Sequence, residues 1–259
     1  MWDPAQYARY AGERSRPFHE LVSRIGAENP ARVVDLGCGD GALTAALAER
    51  WPAASVLGVD SSAEMLEKAT PSPDGRLGFQ LGAIEDWQPE SPVDVLVSNA
   101  ALHWVPDHAA ELDRLVTLLR PGGWLAFQVP GNADAPSHTL LSELRRSPKW
   151  RDRLGTGAHR SPDTLDPPAY LDRLAGLGCT VDAWETTYAH VLHGPDPVLD
   201  WVRGTALRPV LAALTPADAA EFEADYGAAL RTAYPSAPYG TVLPFRRVFV
   251  VARVGAETA

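Results

Sequence analysis

Apolar residues fall in short runs separated by segments of helical spacing, and that alternation predicts a mostly parallel sheet covered on both faces by helices. Residues 1–30 read as helical and mixed. The run 32–36 feeds a glycine turn, and 42–51 carries helical spacing through Leu43, Leu47 and Ala48 until Pro52 stops it. A second strand is expected at 55–59, a short helix at 63–70 ended by Pro71, and a weaker third strand at 77–81. Residues 93–98 form an apolar run of the kind found in central parallel strands. A helix at 109–119 is broken by Pro121-Gly122-Gly123, and a fifth strand follows at 124–129.

The second half is less regular. Residues 131–165 are rich in Pro, Gly, Ser and charge and read as loop around a helix near 139–146. A helix at 169–177 is capped by Gly178, and a long strand follows at 181–191. Residues 196–234 are helical, with Thr215-Pro216 as N-cap and first helical position, and 242–251 closes the chain as an apolar strand. The order implies right-handed βαβ units in a doubly wound, Rossmann-like α/β fold. The whole chain, 1–259, reads as a single domain with cap elements from about 1–30 and 196–240. Helical inserts so placed hang over the carboxyl ends of the strands, where doubly wound folds bind ligands.

Bulk properties narrow the function. The formal charge of −10 makes a nucleic-acid grip through phosphates a poor fit, although a few arginines can still create a positive pocket. No apolar run approaches the roughly 20 residues that span a bilayer. The first residues lack the charged and apolar regions of a secretory signal. Cys38 and Cys179 stand far apart, in no metal-like spacing, and are expected reduced in the cytoplasm.

The strongest chemical signal is Asp35-Leu36-Gly37-Cys38-Gly39-Asp40-Gly41, which ends a strand and opens a helix. Gly37 and Gly39 permit a tight turn and close approach of a ligand to the backbone. Glycine spacing alone fits a dinucleotide equally well. The charges separate the two cases: a pyrophosphate would meet Asp35 and Asp40, whereas S-adenosylmethionine brings an ammonium and a sulfonium that carboxylates favour. Asp60 ends the second strand, where a carboxylate can accept both hydroxyls of a ribose or merely cap the next helix. Gly82-Ala83-Ile84-Glu85-Asp86-Trp87 follows the third strand, where Ile84 can flank an adenine ring or simply belong to a loop.

These residues carry a family resemblance. Asp35-x-Gly37-x-Gly39-x-Gly41, Gly58-Val59-Asp60-Ser61-Ser62 and Gly82-x-Ile84-x-x-Trp87 resemble class I S-adenosylmethionine-dependent methyltransferases. Trp2-x-Pro4-x-x-Tyr7, Glu13-Arg14-Ser15-Arg16-Pro17, Ser98-Asn99-Ala100-Ala101-Leu102-His103-Trp104, Gln128-Val129-Pro130-Gly131-Asn132, Trp201-Val202-x-Gly204-Thr205-x-Leu207-Arg208-Pro209 and Pro244-Phe245-Arg246-Arg247-Val248-Phe249 resemble, more particularly, bacterial trans-aconitate 2-methyltransferases. The resemblance implies a seven-stranded sheet with its last strand antiparallel and a helical cap. It implies methyl transfer to one carboxylate of trans-aconitate, giving a monomethyl ester and S-adenosylhomocysteine. The family usually has an acid where Ala83 stands, so either Glu85 or Asp86 compensates or, as the preferred expectation, backbone contacts at Ala83 and Ile84 replace a side-chain contact to adenine.

A carboxylate is already ionised near neutral pH, so this chemistry needs positioning more than a base. No metal-like cluster and no Ser-His-Asp arrangement is evident, and no residue is singled out as catalytic. The cofactor set is Asp35, Gly37, Gly39, Asp60, Ser61, Ala83, Ile84 and Asn99, the last ending the fourth strand toward the methyl site. A polycarboxylate calls for arginine. Arg14, Arg16, Arg203, Arg208, Arg246 and Arg247 are candidates, and each reads equally as a surface salt-bridge partner. Arg246 and Arg247 are adjacent on a strand, so at most one should enter the pocket. His103 and Trp104 can donate to or wall the substrate, or serve packing. Tyr7, Tyr234 and Tyr239 carry hydroxyls that can orient it. Trp51, Trp150 and Trp184 read as packing. Rival readings are a methyltransferase of another small acid or natural-product hydroxyl, a nicotinamide-dependent dehydrogenase, and a non-catalytic S-adenosylmethionine-binding protein.

Overall fold

The computed structural model describes residues 11–154 and 164–256, with side chains from residue 15 onward. Helices are numbered here as α1 (Ala11–Ser23), α2 (Ala42–Arg50), α3 (Ala63–Leu66), α4 (His108–Thr117), α5 (Pro136–Arg146), α6 (Arg151–Leu154), α7 (Pro167–Gly176), α8 (Pro197–Arg203), α9 (Arg208–Ala212) and α10 (Pro216–Ala233). Strands are β1 (Arg32–Leu36), β2 (Ser55–Asp60), β3 (Leu77–Leu81), β4 (Val93–Asn99), β5 (Leu119–Pro130), β6 (Cys179–Leu192), β7 (Ser236–Ala237) and β8 (Gly240–Val254).

The sheet runs β3-β2-β1-β4-β5-β8-β6, with two-residue β7 beside β8. Strands β1 to β5 pair in parallel, and β8 pairs antiparallel to β5. Seven strands in the main path and a last strand antiparallel match the expected fold. The order reverses at β1 and β4, so the carboxyl ends of those strands form the switch point where such sheets bind ligands.

Two compact units divide the chain. The sheet unit holds Arg14–Gly131, Asp163–Thr186 and the chain from Arg247. Its core is built from Val34, Leu36, Leu96, Leu112, Leu115, Phe127 and Val250. Edge strand β6 is tied to α1 through Glu20, whose Oε1 accepts from Trp184 Nε1 at 3.1 Å and Thr186 Oγ1 at 2.7 Å. Trp184 stacks on Phe249 with ring centroids 4.9 Å apart, in keeping with a packing role. The helical unit is drawn from Asn132–Pro162 and Thr187–Arg246 and has its own core around Trp150, Trp201, Phe222 and Tyr226.

Three local features differ from the sequence reading. β5 starts at Leu119 and runs through Pro121-Gly122-Gly123 instead of starting after them, because a bulge between the Val93 and Val95 pairings, with Gly122 at φ 76°, absorbs the break. The helix expected at 63–70 stops at Leu66 and continues as turns. The helical segment 196–234 is three helices, each with proline in its first positions; Thr215 caps the last, accepting from Asp218 N at 3.2 Å.

Candidate active site

The register places Asp35, Gly58, Asp60, Val97, Asn99, Gln128, Phe249 and Arg247 on one face of the sheet. Along that face the carboxyl ends of β1, β2 and β4 carry acid and amide groups, and the β5–β8 pair carries an amide and a guanidinium.

The loop after β1 is held by backbone. Gly37 N and Cys38 N both donate to Val59 O, at 2.8 and 3.1 Å. Gly37, Gly39 and Gly41 have φ of 80°, 58° and 77°. At Gly37 conformation and space act together, since a Cβ there would overlap the Ala101 methyl of the loop after β4. Asp60 Oδ2 accepts from Gly39 N at 2.8 Å and its Oδ1 from Ser62 N at 2.9 Å. Each oxygen keeps acceptor capacity for a further donor. Ser62, not Asp60, caps α3, accepting from Met65 N. Ser61 lies exposed between them.

Asp35 is 2% exposed. Its Oδ2 accepts from Thr44 Oγ1 at 2.7 Å, while Oδ1 is buried with no partner. Burial is the main cause that lifts its carboxyl to about 6; the nearby Asp60 charge adds to the lift, against the opposing Thr44 bond. A buried carboxylate oxygen left open at a glycine loop suits a cationic donor. The same burial and the same two acids push the Cys38 thiol far up, so it stays protonated and inert.

The loop after β3 is fixed from α4. Arg114 donates to Ile84 O at 2.6 Å and Trp87 O at 2.8 Å and pairs with Glu111. Gly82 N donates to Asp60 O at 2.9 Å. Ile84 is buried, Ala83 is half-buried, and Glu85 and Asp86 are exposed.

Beyond Asn99 the backbone turns through Ala100 at φ 54° into a 3₁₀ turn, Leu102–Trp104. Asn99 Oδ1 accepts from Gln128 Nε2 at 2.7 Å, and Gln128 Oε1 accepts from Arg247 Nη1 at 3.3 Å. Gln128 and Arg247 are 1% and 7% exposed. His103 has its Nδ1 buried without a hydrogen bond. Burial, then the charges of Arg247 and His108, hold its pKa down to about 3. Its ring packs against Trp104, which is itself 64% exposed.

Tyr7 lies outside the described residues, as does the Arg14 side chain. Arg16 is exposed on α1. In the helical unit, Arg203 is gripped by Asp200 at 2.5 Å and Glu223 at 2.6 Å. Tyr234 accepts from Ser137 N at 3.0 Å, and Tyr226 donates to Ser137 O. Arg208 and Tyr239 are exposed. Arg246 uses its backbone, donating from N to Asn132 Oδ1 at 2.8 Å and accepting at O from Asn132 Nδ2 at 3.0 Å. Burial therefore distinguishes Arg247 from its neighbour Arg246, as strand alternation requires. Sequence reasoning missed Thr44, Arg114 and Gln128. Only Gln128 left a mark, as a polar residue inside the apolar run of β5.

A family model described as a methyltransferase domain matches residues 10–183. The trans-aconitate 2-methyltransferase of Streptomyces avermitilis is 52% identical over 258 residues, covering 97% of this chain and 96% of that protein. The trans-aconitate 2-methyltransferase of Mycobacterium tuberculosis is 46% identical over 257 residues, covering 98% and 97%. Among solved structures, the YcgJ protein of Bacillus subtilis superposes with a TM-score of 0.60 at 14% identity, covering 93% of this chain and 99% of that one. A phosphoethanolamine N-methyltransferase of Haemonchus contortus, solved with S-adenosylhomocysteine, superposes with a TM-score of 0.54 at 14% identity over 93% of this chain and 53% of that one; both likenesses are of fold.

Proposed function

This chain belongs to the trans-aconitate 2-methyltransferase family, and on that premise we propose that it transfers a methyl group from S-adenosylmethionine to a carboxylate of trans-aconitate. One observation carries the reading: the same sheet face offers a buried carboxylate oxygen without a partner at β1 and a buried guanidinium at β8. The first suits a cationic cofactor and the second an anionic acceptor.

The residues present fit the cofactor. Asp35 Oδ1 would accept from its ammonium, Gly37 and Gly39 would admit it against the backbone, and Asp60 would take the ribose hydroxyls. Ser61 and Asn99 would border the same site, and Ile84 with the Ala83 backbone would receive the adenine ring. Bound S-adenosylmethionine supplies an electrophilic methyl on a sulfonium, which a carboxylate oxygen accepts as the sulfur regains its electron pair. Arg247 holds a substrate carboxylate in place, and His103 offers a neutral N–H donor beside it. Trp104, largely exposed beside His103, is a candidate wall on that side. In the helical unit we assign Arg203 and Tyr234 to holding that unit together, given their internal partners. Arg16, in the sheet unit, is a further candidate carboxylate ligand, and Arg16→Ala tests it through KM for trans-aconitate. The acidic surface disfavours nucleic acid as a partner. Among the described residues no helix is long and apolar enough to cross a membrane, and Cys38 and Cys179 are free. A cytoplasmic enzyme acting on a small polyanion suits both facts. Ranking KM over a panel of di- and tricarboxylates tests the substrate class; trans-aconitate should lead it, and a hydroxyl acceptor outpacing every acid would overturn the reading.

Two pH effects follow. The Asp35 carboxyl is raised from 3.8 to about 6, so in the free protein it is protonated below that pH and ionised above it. The penalty of ionising it in the free fold arrives as pH rises from about 4 to 6, and a bound ammonium offsets it. Cofactor affinity should therefore rise with pH through about 6 and level off above. Asp35→Asn should weaken S-adenosylhomocysteine binding about tenfold or more and flatten that dependence, as titration calorimetry from pH 5 to 8 can read. A pH slope unchanged in the variant would contradict the assignment.

His103, held near 3, stays neutral throughout this range. At saturating cofactor, kcat should be flat from pH 6 to 8 in the wild type and in His103→Asn. An inflection near 6.5 that vanishes in the variant would make His103 a base instead.

A further inference from the structure

We propose that Gln128 is a positioning residue that sets acceptor specificity by aiming the Arg247 guanidinium while tying it to Asn99; the inference rests on the acceptor being a carboxylate held by Arg247. The geometry carries the assignment. Gln128 lies directly opposite Asn99 on β4, and Arg247 sits diagonally across the β5–β8 pair on the same face. Its amide is used at both ends, Nε2 donating to Asn99 Oδ1 at 2.7 Å and Oε1 accepting from Arg247 Nη1 at 3.3 Å.

This arrangement fixes the amide orientation, since reversal would set an N–H₂ against a guanidinium and an oxygen against an oxygen. A neutral partner has a further consequence. Glutamine orients the guanidinium without adding a counter-charge of its own, and the positive charge of Arg247 is felt at His103. A glutamate here would hold Arg247 equally well and would set a further negative charge against it. The choice of amide over acid at an almost fully buried strand position is thus a choice about the acceptor's charge, beyond packing.

The test compares Gln128→Glu and Gln128→Leu with the wild type, using trans-aconitate kinetics, S-adenosylhomocysteine titration and thermal melting. Gln128→Glu can keep both contacts if the Asn99 amide turns over, so it should melt near the wild type and bind S-adenosylhomocysteine within about threefold of it. Its KM for trans-aconitate should rise about tenfold or more, as expected when a buried cation gains an internal counter-charge. Gln128→Leu should raise KM and lower kcat together, because both Arg247 and Asn99 lose their bond. If Gln128→Glu leaves KM unchanged, or weakens cofactor and substrate equally, the positioning role is overturned, also where Gln128→Leu fails to fold. A wild type that methylates no carboxylate in the same assay removes the parent reading, and this inference with it; a wild type that does so while Gln128→Glu matches it removes the inference alone.

Discussion

Gly37→Ala should abolish measurable S-adenosylhomocysteine binding and lower the melting temperature. Two separate penalties meet at this position. At φ 80° the residue sits in the left-handed region, where an L side chain is strained by about 1–2 kcal/mol. The added Cβ would also overlap Ala101, so the loops after β1 and β4 would have to part. Parting them breaks the bonds from Gly37 N and Cys38 N to Val59 O, and with them the path that carries the backbone past the cofactor. The loss should therefore exceed the strain alone and reach several kcal/mol, enough to remove binding at any practical cofactor concentration. Gly78→Ala is the control: an added Cβ there meets no atom within 4 Å, and its φ is not in the left-handed region. Binding by Gly37→Ala at wild-type affinity would show that the loop does not carry the cofactor.

Arg247→Met should raise KM for trans-aconitate by about 100-fold, near the 2–5 kcal/mol seen when one member of a buried charged contact is truncated. S-adenosylhomocysteine affinity should stay within about threefold. Methionine has comparable length and leaves no charge at the site, but Gln128 Oε1 loses a donor, so a modest fall in melting temperature is expected beside the KM effect. Arg247→Lys keeps the charge but loses the planar fork, and an intermediate rise of about tenfold is expected. A large fall in melting temperature with KM intact would instead make Arg247 a structural cation.

The fold was legible because its core obeys simple periods. β1, β3 and the start of β2 were bounded by apolar runs and turn residues, and Thr215-Pro216 announced α10. The bulge in β5 was not legible, since Pro121-Gly122-Gly123 reads as a stop unless the pairing of Val93 with Leu119 is known. The cofactor loop was visible for a related reason: glycines and acids at a strand end are local signals. The acceptor side depends on which face of β8 meets which face of β5. Alternation could state that Arg246 and Arg247 differ, but only the register made Arg247 the buried one. Arg203 illustrates the converse, because a basic residue at a helix end gives no sign that Asp200 and Glu223 already hold it. Gln128 stands in a segment that carries the family resemblance, yet its role comes from two partners 29 residues before it and 119 after it.

The most direct measurement incubates the wild-type protein with methyl-labelled S-adenosylmethionine and trans-aconitate and identifies the labelled product by mass. Label in a monomethyl ester of trans-aconitate, formed with S-adenosylhomocysteine one for one, is the predicted result. S-adenosylhomocysteine binding without label in any carboxylate would contradict it.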